Sequence, residues 1–110
     1  CMDNRPTKSG YLMKRGEYNT AWKVRWCKVD NSKLIYYKKP ENAKALGFVP
    51  LEQAFIRRCR EDLGEKHCFE IVTKLRVYYM VAKSEAELIE WMNVLSLRTT
   101  LHKENELLEQ

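Results

Sequence analysis

The sequence predicts a mainly β domain: seven short antiparallel strands, bent into a small barrel or sandwich and capped by one C-terminal α-helix. Three observations carry this expectation. Short runs rich in Val, Ile, Tyr, Phe and Trp recur between residues 10 and 82, with turn residues between them. A 3.6-residue apolar period appears only after Ser84. The chain has 110 residues, 45% hydrophobic and 32% charged, which suits one domain with a substantial core.

The runs follow in order. "GYLMK" (10–14), "AWKVRWCKV" (21–29) and "KLIYYKK" (33–39) read as the first three strands. "GFVPL" (47–51) and "AFIRRC" (54–59) are the fourth and fifth, and "HCFEIV" (67–72) and "RVYYMVA" (76–82) complete seven. The tripeptide "DNS" (30–32) is a turn signal between the second and third strands. "PENAKA" (40–45) is a polar loop opened by Pro40, and "REDLGEK" (60–66) a charged turn holding Gly64.

Ser84 and Glu87 then form a capping-box signature, in which the Ser hydroxyl takes an orphan helix amide and the Glu reaches back. Leu88, Trp91, Met92 and Leu95 follow at i, i+3, i+4 and i+7, an amphipathic stripe. A bent antiparallel sheet has open edges and ends, and a Trp-bearing terminal helix is a suitable plug for one of them. Beyond Leu97, "LHKENELLEQ" places Leu101 and Leu108 seven apart, which fits a helix extension, a linker or the start of a coiled coil. The domain is therefore expected over residues 8–97, with 98–110 as an extension.

Composition narrows the function. No apolar run approaches the roughly 20 residues a membrane-spanning helix needs, and the opening "CMDNRPTKSG" has no secretory character. Cys1 preceding Met2 reads as an artificial boundary, so this says little of a longer parent. Cys1, Cys27, Cys59 and Cys68 include no C-x-x-C pair, and His67 beside Cys68 has no second cluster to complete a zinc set. Free thiols in a reducing, cytoplasmic setting are expected, with no metal and no cofactor. His67 and His102 lack a Ser, Cys or carboxylate constellation, so no enzyme is expected.

Charge is the informative quantity. The net +5 is unevenly spread: residues 1–50 hold 11 Lys/Arg against 4 Asp/Glu, and residues 51–110 hold 9 against 11. One basic face turned to an anionic partner follows. Nucleic acid fits poorly, because the second half is acidic and no interleaved stacking aromatics are present.

Strand side chains alternate faces. In the second strand Lys23, Arg25, Cys27 and Val29 share one face, basic and then apolar, as for a strand running from a wet rim into a dry interior. Trp22, Val24, Trp26 and Lys28 share the other. The first strand runs from Leu12 to Lys14 in the opposite order, so in an antiparallel hairpin both basic ends meet beside the loop "RGEYNT" (15–20). Tyr36, on the face of Leu34, reaches the same rim. Lys14, Lys23, Arg25 and Tyr36 thus converge by parity. Arg gives phosphate planar bidentate hydrogen bonds and Lys a mobile point charge, while the Tyr hydroxyl is a donor. No G-x-x-x-x-G-K-S/T or G-x-G-x-x-G motif supports a nucleotide cradle.

The ordered set "GYLMK", "WKVRW", "LIYYKK", "GFVPL", "CFEIV" and "YYMVAKSEAELIEWMNVL", with Trp91 in the last, resembles the pleckstrin homology (PH) domain family over roughly Lys8 to Leu97. The resemblance implies a seven-stranded bent antiparallel PH-like barrel capped by the C-terminal helix, a binding fold without catalysis of its own. It also implies phosphoinositide binding, with Lys14, then Lys23 and Arg25, matching the family's basic pattern and Tyr36 matching a tyrosine found in binders of 3-phosphorylated lipids. A trisphosphate or 3,4-bisphosphate headgroup is the expected ligand, on the cytoplasmic leaflet. Arg15, Lys44, Lys74 and Arg76 are secondary candidates. The sequence departs from the pattern at Leu46, where a basic residue is common before the strand-four Gly, and at Glu17, an anion in the loop. The turn "TKLRV" (73–77) lacks the long insertion of some relatives. The alternative reading is a protein-interaction domain with a small-GTPase or peptide partner and only weak lipid binding.

Overall fold

The computed structural model describes residues 3–16, 18–60 and 63–99. Along them run β1 (Ser9–Arg15), β2 (Trp22–Asp30), β3 (Lys33–Tyr37), β4 (Gly47–Pro50), β5 (Phe55–Arg58), β6 (Cys68–Val72), β7 (Val77–Val81) and α1 (Glu85–Thr99). The strands form one seven-stranded sheet in the order β4-β3-β2-β1-β7-β6-β5, antiparallel throughout. Seven strands and one closing helix are thus as the sequence predicts. β3 stops two residues early at Tyr37, where the Lys39 amide donates to Asn42 Oδ1 at 3.0 Å and turns the chain.

β1 joins the two halves of the sheet. It pairs with β2 along its full length but with β7 only from Met13 to Arg15. The sheet bends there, and its inward residues Leu12, Cys27, Val29, Leu34, Val49, Phe69, Ile71 and Met80 close on one another. α1 lies against β5 and β6 and fills the opening with Leu88, Trp91 and Leu95, all buried. The predicted stripe holds, with Val94 added and Met92 only partly covered.

Half of the predicted capping box forms. The Glu87 amide donates to Ser84 Oγ at 3.2 Å, but the Glu87 carboxylate is taken by Lys8 at 2.7 Å. Lys8 also meets Glu90 at 2.9 Å and lies 5.3 Å from the centre of the Trp91 ring. Burial works to lower the Lys8 ammonium's pKa, and the two carboxylates outweigh it and raise it.

At the other end of α1, Arg98 is only 4% exposed. Its Nη1 donates to Asp3 Oδ2 at 2.7 Å and to the Asn31 carbonyl at 3.0 Å. Its Nη2 donates to the carbonyls of Pro6 at 2.8 Å and Arg5 at 3.3 Å. Asp3 is held well below the usual carboxylate range, chiefly by its hydrogen bonds to Arg5, with Arg98 adding to them. Lys8 and Arg98 together clamp residues 3–8 and the β2–β3 turn onto the helix.

The expectation of free thiols needs correction. Cys59 and Cys68 form a disulfide, with Cα atoms 5.3 Å apart. The β5–β6 register explains it: Arg58 pairs with Phe69, so the next pair outward is Cys59 with Cys68, joined by the Cys59 amide on the Cys68 carbonyl at 3.0 Å. Cys27 is a buried free thiol. Cys1, Glu17, His102 and the heptad spacing of Leu101 and Leu108 lie outside the described residues.

Candidate functional site

β1 and β2 run toward their connecting loop with Lys14 and Lys23 as directly opposed partners and Leu12 opposite Arg25. β3 adds Tyr36 opposite Cys27 on β2 and Gly47 on β4. These registers bring the four parity-selected residues to one pocket of about 220 Å³, lined by Lys14, Gly16, Asn19, Ala21, Lys23, Arg25, Tyr36 and Leu46. Next after Arg25 on the same face of β2, Cys27 is fully buried, and burial pushes its thiol up to about 12.

The cations of this pocket have no countercharge among the described residues, where ion pairs engage Arg5, Lys8, Arg57, Arg58, His67 and Arg98 but not Lys14, Lys23 or Arg25. Arg25 Nη1 donates to the Val24 carbonyl at 2.9 Å. The Lys14 ammonium sits over Tyr36, 4.6 Å from the ring centre, and 5.8 Å from that of Tyr78. Its pKa is lowered, first by burial and then by the charges of Arg76 and Arg25. Two lysines facing each other across a strand pair destabilise the sheet, and a bound polyanion would offset that cost.

Tyr36 is seated by Gly47. A Cβ at position 47 would come within 2.6 Å of the Tyr36 hydroxyl and 2.9 Å of Cζ, so only Gly lets the ring lie there. Burial raises the Tyr36 pKa, with Tyr78 adding to it, and the hydroxyl stays a neutral donor.

The secondary candidates divide. Arg15 has the opposite parity and stacks on Tyr79 of β7 at 5.3 Å, outside the pocket. Lys44 and Lys74 are exposed on their turns and do not line it. Arg76 is close enough to be the largest charged influence on Lys14, and it lies 4.1 Å from the centre of the Tyr78 ring. Leu46, the departure noted in the sequence, supplies an apolar wall and is 53% exposed.

A larger hollow of about 510 Å³ lies beside the disulfide, lined by Arg58, Cys59, Arg60, Gly64, Glu65, Lys66, His67, Cys68 and Glu85. Its charge is mixed: Glu85 pairs with Arg58 and lies 3.5 Å from His67 Nδ1. The rim pocket is smaller, and the charged residues among its described lining, Lys14, Lys23 and Arg25, are all cationic.

A family model described as the PH domain matches residues 6–100. The chain belongs to the PH domain family. Relatives include the mouse dual adapter for phosphotyrosine and 3-phosphotyrosine and 3-phosphoinositide, 30% identical over 104 residues, 94% of this chain and 36% of the adapter. A PH domain-containing protein of Dictyostelium discoideum is 32% identical over 87 residues, 77% of this chain and 19% of that protein. The chain thus spans about a third or less of these relatives. Among solved structures, the C-terminal PH domain of pleckstrin in complex with D-myo-Ins(1,2,3,4,5)P5 superposes with a TM-score of 0.74 at 27% identity, covering 84% of this chain and 96% of the other. The PH domain of human oxysterol binding protein-related protein 11 gives 0.77 at 27% identity, covering 91% and 85%. PH domains are in general binding modules without catalysis.

Three features in or beside the pocket of this PH domain escaped the sequence reading. Asn19 organises the loop by accepting the Ala21 amide on Oδ1 at 3.1 Å, an Asx turn that the N-T-A stretch signals only weakly. Gly47 matters through what it faces, which no local pattern encodes. Tyr78 lies on a strand distant in sequence, and only the β1–β7 pairing brings it to Lys14.

Proposed function

We propose that this PH domain is a membrane-recruitment module that binds a phosphoinositide headgroup on the cytoplasmic leaflet. The observation that carries the reading is the convergence of Lys14, Lys23, Arg25 and Tyr36 on one pocket with no carboxylate paired to its cations among the described residues. Arg25 takes a phosphate through its planar fork, Lys14 and Lys23 flank it as point charges, and the Tyr36 hydroxyl donates to a further oxygen. The mouse adapter named for a 3-phosphoinositide supports a 3-phosphorylated ligand, a trisphosphate or 3,4-bisphosphate. Each Lys or Arg near an anionic leaflet adds about 1 kcal/mol of attraction, so Lys44 and Lys74 contribute without touching the headgroup. No described helix is long and apolar enough to cross a membrane, in keeping with peripheral attachment.

The test is sedimentation with vesicles carrying a panel of phosphoinositides. Selective pelleting that Arg25→Ala abolishes with the fold intact supports the reading. Equal binding to every vesicle, or none, overturns it. The alternative, a peptide or small-GTPase partner, has one observation in its favour: an apolar groove of about 250 Å³ on the outer face, lined by Tyr11, Leu12, Met13, Val24, Val81, Ala82 and Lys83. Absent vesicle binding would favour it.

A further inference from the structure

The phosphoinositide reading names contacts on β1, β2 and β3. The geometry extends the rim to β7. Tyr78 has the inward parity of Met80, which pairs with Lys14, and it is partly buried against the core. Its ring lies 5.8 Å from the Lys14 ammonium and 4.1 Å from the Arg76 guanidinium carbon. Tyr36 holds the same ammonium at 4.6 Å and is itself seated against Gly47. A continuous arrangement therefore runs Gly47, Tyr36, Lys14, Tyr78, Arg76 across β4, β3, β1 and β7. Aromatic faces attract cations, so each ring draws a long, flexible basic side chain to a fixed place.

We propose that Tyr78 is a positioning residue of the headgroup site, anchoring Lys14 and Arg76 side by side so that Arg76 joins Lys14, Lys23 and Arg25 on one polyphosphorylated ring. The three cations of the β1–β2 hairpin account for one wall of the pocket. Arg76 brings a second, planar donor from the β6–β7 turn on the side of Lys14 away from β2. A ligand carrying phosphates on two sides of its ring uses both walls, whereas a singly phosphorylated ring uses one. The role belongs to the ring and not to the hydroxyl, because the contacts to both cations are made over the ring. The inference rests on the headgroup reading and deepens it.

The experiment is calorimetry with a soluble inositol polyphosphate on wild type, Tyr78→Phe, Tyr78→Leu, Arg76→Ala and the double variant Tyr78→Leu/Arg76→Ala, with Arg25→Ala as the reference for the site. Circular dichroism checks each fold. Tyr78→Phe is expected to bind within about twofold of wild type, and Tyr78→Leu and Arg76→Ala each about tenfold more weakly, the scale of one charge-assisted contact. The double variant should be scarcely weaker than Tyr78→Leu alone, since both remove the same arrangement. A merely structural role for Tyr78 would instead give additive losses. If Tyr78→Leu does not fold, Arg76→Ala decides: wild-type affinity overturns the proposal. Unchanged binding in Tyr78→Leu or Arg76→Ala while Arg25→Ala loses it overturns the role of Tyr78 and leaves the site standing. Unchanged binding in Arg25→Ala as well overturns both.

Discussion

Two groups of basic residues in this PH domain have opposite electrostatic settings. Lys8 and Arg98, at the helix, are surrounded by acceptors: Glu87 and Glu90 for the first, Asp3 and three backbone carbonyls for the second. Among the described residues, Lys14, Lys23 and Arg25 share the rim pocket, with two aromatic rings near Lys14 and the Val24 carbonyl accepting from Arg25. Two lysines show the contrast directly, Lys8 with its pKa raised and Lys14 with its pKa lowered. A cation whose neighbours favour its charge is there for the fold. A cation gathered with others against its own preference is, on the reading proposed above, there for a ligand.

The comparison can be broken first at the clamp. Trp91→Ala removes the helix plug on which Lys8 rests and should cost about 3–5 kcal/mol by denaturant titration. Arg98→Met strips the ligand of three carbonyls and Asp3, and about 2–3 kcal/mol of stability should go with it. Lys8→Met keeps the aliphatic stem but loses both carboxylates, for a loss of about 1 kcal/mol, the value of two partly exposed pairs. At the rim the sign should invert. Lys14→Met relieves repulsion from Lys23 and should stabilise the domain by about 0.5 kcal/mol while weakening vesicle binding. A rim variant that destabilises like a clamp variant would erase the distinction.

The two settings also separate with pH. Lys8 has a folded pKa above the unfolded one, so its stabilisation is complete below 10.5 and is lost as pH rises through the folded value. Lys14 has the reverse order. Its penalty is present in full below its folded pKa and is relieved as pH climbs from there to 10.5. Alkaline melts of Lys8→Met and Lys14→Met against wild type should therefore diverge, the first closing its deficit and the second losing its advantage.

The contrast also explains what could be read from sequence. The rim was legible because strand parity is local: Lys14, Lys23, Arg25 and Tyr36 follow from alternation and one hairpin. The helix plug was legible because Leu88, Trp91 and Leu95 follow a 3.6-residue period. The clamp was not. Arg98 falls three residues after Leu95 and so on the buried side, but its acceptors are carbonyls and Asp3, more than 60 residues away in the chain. The disulfide was missed for a related reason: pairing Cys59 with Cys68 needs the β5–β6 register, which neither cysteine's own surroundings reveal. Tyr78 likewise required the β1–β7 seam.

The most direct test of the central claim is an NMR titration of the Lys14 and Lys8 side-chain ammonium groups, without and with a soluble inositol polyphosphate. The account predicts that Lys14 begins below the ordinary lysine value and rises above it when the anion binds, while Lys8, already raised, does not move. A Lys14 titration unchanged by the ligand, or moved no more than that of Lys8, would contradict it.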